Sequence, residues 1–407
     1  MCGRPLRACE DAPFFEEVFE DVWPASLRMR RRASLGHDRR VNPTRRRLVS
    51  GGAFALLAVI GLVMPSAYVV ETAGPAIDVA GKYQGKQLVT LSGAKTYTSS
   101  TKLFMTTVSS YGTADNGVPS AQVFASLFAP DMQAVPVRAL YSENETSSDV
   151  DKKNAALMTD SQDNAAVVAL GKTGHTVAMK LVVAGVPKSS RASGKLTKGD
   201  VLTSISAAGQ KTEIRTYSDL VQRLAKIAPG TTVTVGFARD GKEKTAEIVT
   251  AAHEADATGW THPGSKLGVY LSSKNLKYPV KVNYGVEQIG GPSAGLMFSL
   301  AIYDDLTPGS LGGDKVIAGT GTMSMGGDVG PIGGIQHKLV GASQKGAKHF
   351  LAPAENCAET VGYEPKGMKV YSVRTFDEAV KAVQAIGAGK TSDLQTCRDV
   401  VAKSPKK

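Results

Sequence analysis

At 407 residues the chain exceeds what one hydrophobic core usually organises, and two or three domains are expected. Hydrophobic residues make up 42% and charged residues 21%, a globular composition that excludes wholesale disorder. The formal charge of +11 is concentrated: nine arginines and one acid, Asp38, lie between Arg28 and Arg47, leaving about +3 for everything else. A nucleic-acid groove needs basic charge spread over a folded face, so nucleic acid is not an expected partner.

Residues 1–47 read as a basic cytoplasmic tail. Its first part, with Cys2, Cys9 and an acidic stretch, gives way at Met29 to a plain basic segment, which makes Met29 an alternative start. Leu48 to Val70 then runs 23 residues without a charge, flanked by Arg45-Arg46-Arg47 and Glu71. At about 1.5 Å per residue this run can cross a hydrocarbon core of roughly 30 Å. Residues 48–70 are therefore read as a transmembrane helix, with the arginines holding the N-terminus in the cytoplasm and the remainder outside. A cleaved signal peptide is the alternative; it exports the remainder equally, although Pro65-Ser66-Ala67 is a poor cleavage site.

Residues 71–171 form a separate extracytoplasmic region. Strands are expected at Gln87–Leu91 and Leu103–Val108, a polar loop over 142–163, and a helix near Asn164–Leu170. From 172 to 252 comes a unit of another kind. It has an apolar strand (Val177–Val183), the run GKLTKGDVL, an amphipathic helix over Tyr217–Ile227, and a hairpin turning at Arg239-Asp240-Gly241-Lys242. These motifs resemble a PDZ domain of the bacterial protease type. The resemblance implies that an extended peptide adds as an edge strand beside the Tyr217–Ile227 helix; a sheet domain acting only as a spacer is the plainer reading.

Beyond Gly264 the chain alternates strands and helices and is dense in glycine. Gly290-Gly291-Pro292-Ser293-Ala294-Gly295 precedes a helix running to about Asp304, which places Ser293 at its positive end. Unpaired amides around Gly291, Pro292 and Ala294 could there hold an oxyanion. Three readings compete. Ser293 is a helix cap, which serine does often. It is the serine of a G-x-S-x-G elbow, but no apolar strand precedes it. Or it pairs with Lys338, which lies in Gly330-Pro331-Ile332-Gly333-Gly334-Ile335-Gln336-His337-Lys338. His337 is read as a surface residue.

The runs GGPSAGLMFSLAIYD, TGT and GPIGGIQHKLVGASQKGAKHFLAP, in this order and spacing, closely resemble the proteolytic domain of Lon peptidases over 264–386. The resemblance implies an α/β (α+β) fold, Ser293 as nucleophile, Lys338 as general base, and Thr320 helping to hold the lysine. Lon has an acidic residue where Gly290 stands and glutamate where His337 stands. The whole chain resembles the membrane-anchored PDZ–Lon-like proteases of Gram-positive bacteria. It is expected to be a serine endopeptidase that cleaves exported or membrane-proximal polypeptides through an acyl-enzyme, and the family suggests a homo-oligomeric ring. The alternative is a non-catalytic scaffold that keeps the fold for binding peptides.

No cofactor is expected. Gly387-Ala388-Gly389-Lys390-Thr391 is not a Walker A loop, because Gln384 replaces the leading glycine and a helix precedes it; residues 387–407 read as a tail, and the activity as ATP-independent. Cys357 and Cys397, on the oxidising side, are expected to form a disulfide. Two distant sulfurs without clustered histidines make no metal site.

Overall fold

The computed structural model describes residues 43–129, 131–285 and 289–403. The expectations for Cys2, Cys9, Met29 and most of the arginine-rich tail fall outside the described residues. Two units are distinguished, one ending at Leu57 and one from Ala58 onward.

Helix α1 (Pro43–Val63) begins the described chain, and its apolar side chains are exposed. The apolar run of residues 48–70 is not one element. The helix stops two residues before Pro65, whose ring disfavours helix in the residue preceding it. Strand β1 (Tyr68–Asp78) then follows, with Val69 and Val70 fully buried in a sheet. The run is apolar for two different reasons. Among the described residues no helix is long and apolar enough to cross a membrane.

The large sheet is built from both ends of the chain. Its N-terminal strands are β1, then β3 (Lys102–Tyr111) and β4 (Met132–Pro136); between β1 and β3 lies the short β2 (Val89–Ser92). Around β4 stand two short helices, α2 (Ser120–Ser126) and α3 (Val137–Leu140), and then α4 (Ser147–Lys172). Residues 142–163 are thus mostly helix, not loop. Their polarity reflects an exposed first half of α4, which starts at a reciprocal cap between Thr146 and Asp149; Met158, Ser161, Ala165, Ala166 and Val168–Leu170 are buried.

Next comes a smaller sheet of β5 (Ala178–Gly185), β6 (Val201–Ala207), β7 (Thr232–Arg239), β8 (Lys242–Val249) and β9 (Tyr270–Lys277), with α5 (Tyr217–Leu224) packed beside it. Among the described residues its order is β8-β7-β6-β5-β9, with the short strand Gln210–Glu213 beside β6. The small sheet therefore reaches past residue 252 to include β9. The chain returns through β10 (Lys281–Tyr284), which pairs with β2, to α6 (Gly295–Leu306) and β11 (Val316–Gly319). A hairpin of β12 (Thr322–Met323) and β13 (Val329–Gly330) leads to α7 (Ile335–Gln344) and β14 (His349–Pro353). The short α8 (Cys357–Thr360), β15 (Lys369–Val373), α9 (Phe376–Gly387) and α10 (Cys397–Lys403) complete the described chain.

The large sheet has the order β15-β14-β11-β3-β1-β4. β15, β14, β11 and β3 run parallel, while β1 and β4 are antiparallel to their neighbours. Residues 71–171 are thus no separate region; they supply half of this sheet and α4. The PDZ-like unit does not precede the α/β domain but interrupts it. Period-two alternation puts Ile317, Leu351 and Tyr371 under α4, α6 and α9, and Ala318, Phe350 and Val370 under α7. Residues 387–403 are no loose tail: α10 docks against α8, where Cys357 and Cys397 form a disulfide.

A bulge in β1 between Ala73 and Ala76 lets α7 approach the sheet closely. A Cβ on Gly341 would lie 2.5 Å from the Gly74 carbonyl oxygen. Gly341→Ala should therefore lower stability by about 1–3 kcal/mol. The roughly 1 kcal/mol that alanine gains inside a helix is outweighed, because the obstructing atom is backbone. Thermal unfolding measures it, and an unchanged or higher melting temperature contradicts this packing.

Candidate active site

Ser293 lies in a turn, not in the helix: the cap position of α6 is Ala294, and no side chain caps that end. The reading of Ser293 as a helix cap therefore fails. The turn is held from α4. The Gly291 amide donates to the Asn154 carbonyl (3.0 Å), and Ser161 Oγ donates to the Pro292 carbonyl (2.9 Å). Gly291 has φ +86°, a conformation that glycine adopts without strain. Among the described residues the amides of Ser293 and Ala294 have no partner, and they stand at the positive end of α6. Pro292, having no amide hydrogen, can shape the turn but not donate.

Lys338 lies in α7, buried, 3% exposed. Its Nζ donates to Thr320 Oγ1 (3.1 Å), and that hydroxyl donates in turn to the Ser293 carbonyl (3.1 Å). The Gly321 amide also donates to the Ser293 carbonyl (2.9 Å). Thr320 thus ties the lysine to the main chain of the serine, and β11, which ends at the residue before it, sits in the middle of the sheet. Burial pushes the Lys338 ammonium down to about 8, against the opposing pull of Glu71.

Ser293 and Lys338 line one cleft of about 870 Å³ together with Gly290, Pro292, Thr322 and Gly334. Among the described residues Glu71, on β1, is the one carboxylate in its lining. Nothing in the sequence near Ser293 or Lys338 pointed to it, since it precedes the serine by more than two hundred residues. The same holds for Asn154 and Ser161. His337 is buried, not a surface residue: 6% exposed, with Nε2 unpartnered. It occupies the face of α7 that packs on the domain, and its neighbour Lys338 faces the cleft.

A second cavity of about 630 Å³ lies between α5 and β9, lined by Leu220, Leu224, His253, Lys266, His262 and Asp328. β9 ends the small sheet there, so the edge strand beside the helix is residues 270–277. Asp328 comes from the β12–β13 hairpin of the large domain and pairs with His262 (3.3 Å). Thr322, on the same hairpin, lines the cleft of Ser293.

Comparison with known proteins agrees with this division. Residues 270–385 match the Lon protease (S16) C-terminal proteolytic domain, and residues 152–250 match the PDZ domain. A Lon-type proteolytic domain, of the serine peptidase kind, and a PDZ domain are present. The first match starts at β9, which belongs to the small sheet, and the second starts inside α4, which packs in the large domain. Lon protease 2 of Bacillus subtilis (strain 168) is 32% identical over 114 residues, covering 28% of this chain and 20% of its own length. The Lon protease of Fusobacterium nucleatum is 38% identical over 96 residues, covering 23% and 12%. The chain thus spans a fifth or less of the length of these two relatives. The PDZ domain of the SdrC-like protein from Listeria monocytogenes overlaps 22% of this chain and 85% of that one at 22% identity; its TM-score of 0.18 decides nothing.

Holding Lys338 at about 8 rather than its usual 10.5 costs the native state about 3 kcal/mol when the lysine is charged. The sign follows from proton binding: below pH 8 native and unfolded lysine are both charged and the native state bears the whole cost. The cost fades as pH rises from 8 to 10.5, where only the unfolded state keeps its proton. Lys338→Met should therefore be more stable than wild type by about 1–3 kcal/mol at pH 7. That advantage should shrink toward pH 10.5. Denaturant unfolding across this range checks it; a less stable variant at pH 7 contradicts it.

Proposed function

We propose that the chain is an ATP-independent serine endopeptidase in which Ser293 is the nucleophile and Lys338 the base. The observation that carries this reading is a buried lysine, pushed down to about 8 and joined through Thr320 to the main chain of Ser293. Neutral Lys338 takes the proton from Ser293 Oγ as that oxygen adds to a peptide carbonyl. The developing oxyanion is held by the amides of Ser293 and Ala294 at the end of α6. The ammonium of Lys338 then protonates the leaving amine, and water releases the acyl group by the reverse path, with Lys338 again as base. A non-catalytic scaffold gains nothing from keeping an uncompensated lysine buried. Polypeptide is the substrate class, and the cavity beside β9 is the place for an extended segment to add as a further strand.

We further propose that the protein is anchored in the cell membrane with residues 1–47 cytoplasmic and the catalytic domain outside. This is the organisation of the membrane-anchored PDZ–Lon-like proteases of Gram-positive bacteria. In support, Leu48–Val63 carries no charge, and bulky side chains such as Leu48 (72%) and Phe54 (75%) are exposed. Its 16 residues reach about 24 Å, short of roughly 30 Å of hydrocarbon, a mismatch that local thinning accommodates at modest cost. The Cys357–Cys397 disulfide fits an oxidising compartment, where no ATP need be supplied.

Ser293→Ala should lower cleavage of an unfolded casein-like substrate by about 10³-fold or more. Wild type should cleave it without nucleotide, and the variant should keep the wild-type melting curve. Comparable cleavage by wild type and Ser293→Ala sinks the assignment. The rate should also rise with pH through about 8 as Lys338 loses its proton. Because Glu71 favours the charged lysine, Glu71→Gln should shift that rise to lower pH. A profile unmoved, or moved upward, counts against Glu71 acting on the base.

A further inference from the structure

We infer that the surface around α2 is a second membrane contact, seated at the boundary between headgroups and acyl chains of a bilayer. It would turn the mouth of the catalytic cleft toward the lipid surface. The inference rests on the membrane-anchor reading above. Outside α1, eleven bulky apolar side chains are exposed among the described residues, and seven of them fall between Met64 and Leu140. Phe124 (59%), Leu127 (72%) and Phe128 (75%) are the most open, and the two phenylalanine rings meet edge to face at 5.3 Å. Side chains of this size left in water forfeit the free energy that burial would supply, so the cluster calls for a partner.

Its position identifies the partner. The chain leaves α1 at Val63, and the next residues are stitched to the segment that begins α2. The Ser120 amide donates to the Met64 carbonyl (3.1 Å), and the Ser66 amide and hydroxyl both donate to the Val118 carbonyl (2.8 and 2.7 Å). The Val118 amide donates to the Tyr68 carbonyl (2.8 Å). Tyr111 stands opposite Val70, two residues on from Tyr68, and the Val137 amide that starts α3 donates to the Ala67 carbonyl. The exposed tyrosines and phenylalanines therefore surround the exit of the apolar helix, where aromatic side chains suit the membrane interface. A contact between two copies of the chain has no reason to centre on that exit.

The consequence concerns substrates. Leu140, at the end of α3, is 41% exposed and also lines the cleft of Ser293 and Lys338. Glu71, in the same cleft, is three residues beyond Tyr68. With α2 in the interface, the cleft opens beside the bilayer, which favours polypeptide segments close to the membrane.

The test reconstitutes the full chain in phosphatidylcholine vesicles whose acyl chains are brominated, with tryptophan placed by Phe128→Trp or, as a second variant, Leu127→Trp. The wild type, with its own tryptophans, gives the background. Interfacial faces sit about 5–10 Å deep, within reach of the bromines. The added tryptophan should therefore lose about half or more of its emission relative to the same variant in unbrominated vesicles. Flotation of the full chain with the vesicles reads the anchor separately. If the chain floats and neither added tryptophan is quenched, the second contact is wrong and the anchor stands. If the chain does not float, the anchor reading fails and takes the second contact with it. If quenching is absent and the triple variant Phe124→Ser, Leu127→Ser, Phe128→Ser changes the oligomer size in detergent, the face lies between copies, and the inference is overturned.

Discussion

The Thr320 hydroxyl stands between the two halves of the site. It can donate one hydrogen, which goes to the Ser293 carbonyl, and it accepts from Lys338 Nζ with a lone pair. Serine, threonine and lysine come from three different places, the turn before α6, the residue after β11 and the middle of α7. One side chain therefore links the turn of Ser293 to Lys338, and the sheet sets its position. The close approach of α7 to β1 then does two things at once. It buries Lys338, which lowers its proton affinity into the working range, and it brings Glu71 near enough to oppose that shift. The burial that lowers the proton affinity of the lysine also costs native-state free energy.

Interrupting the large domain with the PDZ domain has a mechanical consequence. A domain hung on one end of a chain can swing on a single linker; one inserted between α4 and β10 is held at both ends. The hairpin β12–β13 adds a third tie, since Asp328 pairs with His262 beside the cavity between α5 and β9 while Thr322 lines the cleft of Ser293. The strand that borders that cavity, β9, is followed in the chain by β10, which pairs with β2.

Legibility in the sequence followed the length scale of each interaction. Ser293, Thr320 and Lys338 sit in runs whose glycine spacing is local, and the hairpin at Asp240-Gly241 and the helix from Tyr217 were readable for the same reason. Asp240 and Gly241 both take positive φ, as a tight hairpin turn requires. Glu71, Asn154 and Ser161 reach the site only through the fold. A glutamate in a strand and polar residues in a half-exposed helix carry no mark of that. Only the second half of α4 is expected from the sequence, near Asn164–Leu170, because its first half faces water and so reads as loop composition. β9 alternates Ser, Lys and Asn with Leu, as an edge strand with one wet face does, and its sequence says nothing about which sheet it joins. The apolar run from Leu48 to Val70 misled differently, since exposure in a helix and burial in a strand call for the same residue types.

That double meaning also explains how the ends of the chain are organised. β1 must begin almost where α1 ends, because Val69 and Val70 are needed in the core of the large sheet. The spacer available is the short stretch Met64–Ala67, and it is itself bonded to the start of α2. Four residues tied down by hydrogen bonds cannot act as a flexible tether. The two-point attachment of the PDZ domain likewise ties the cavity beside β9 to the domain that carries Ser293.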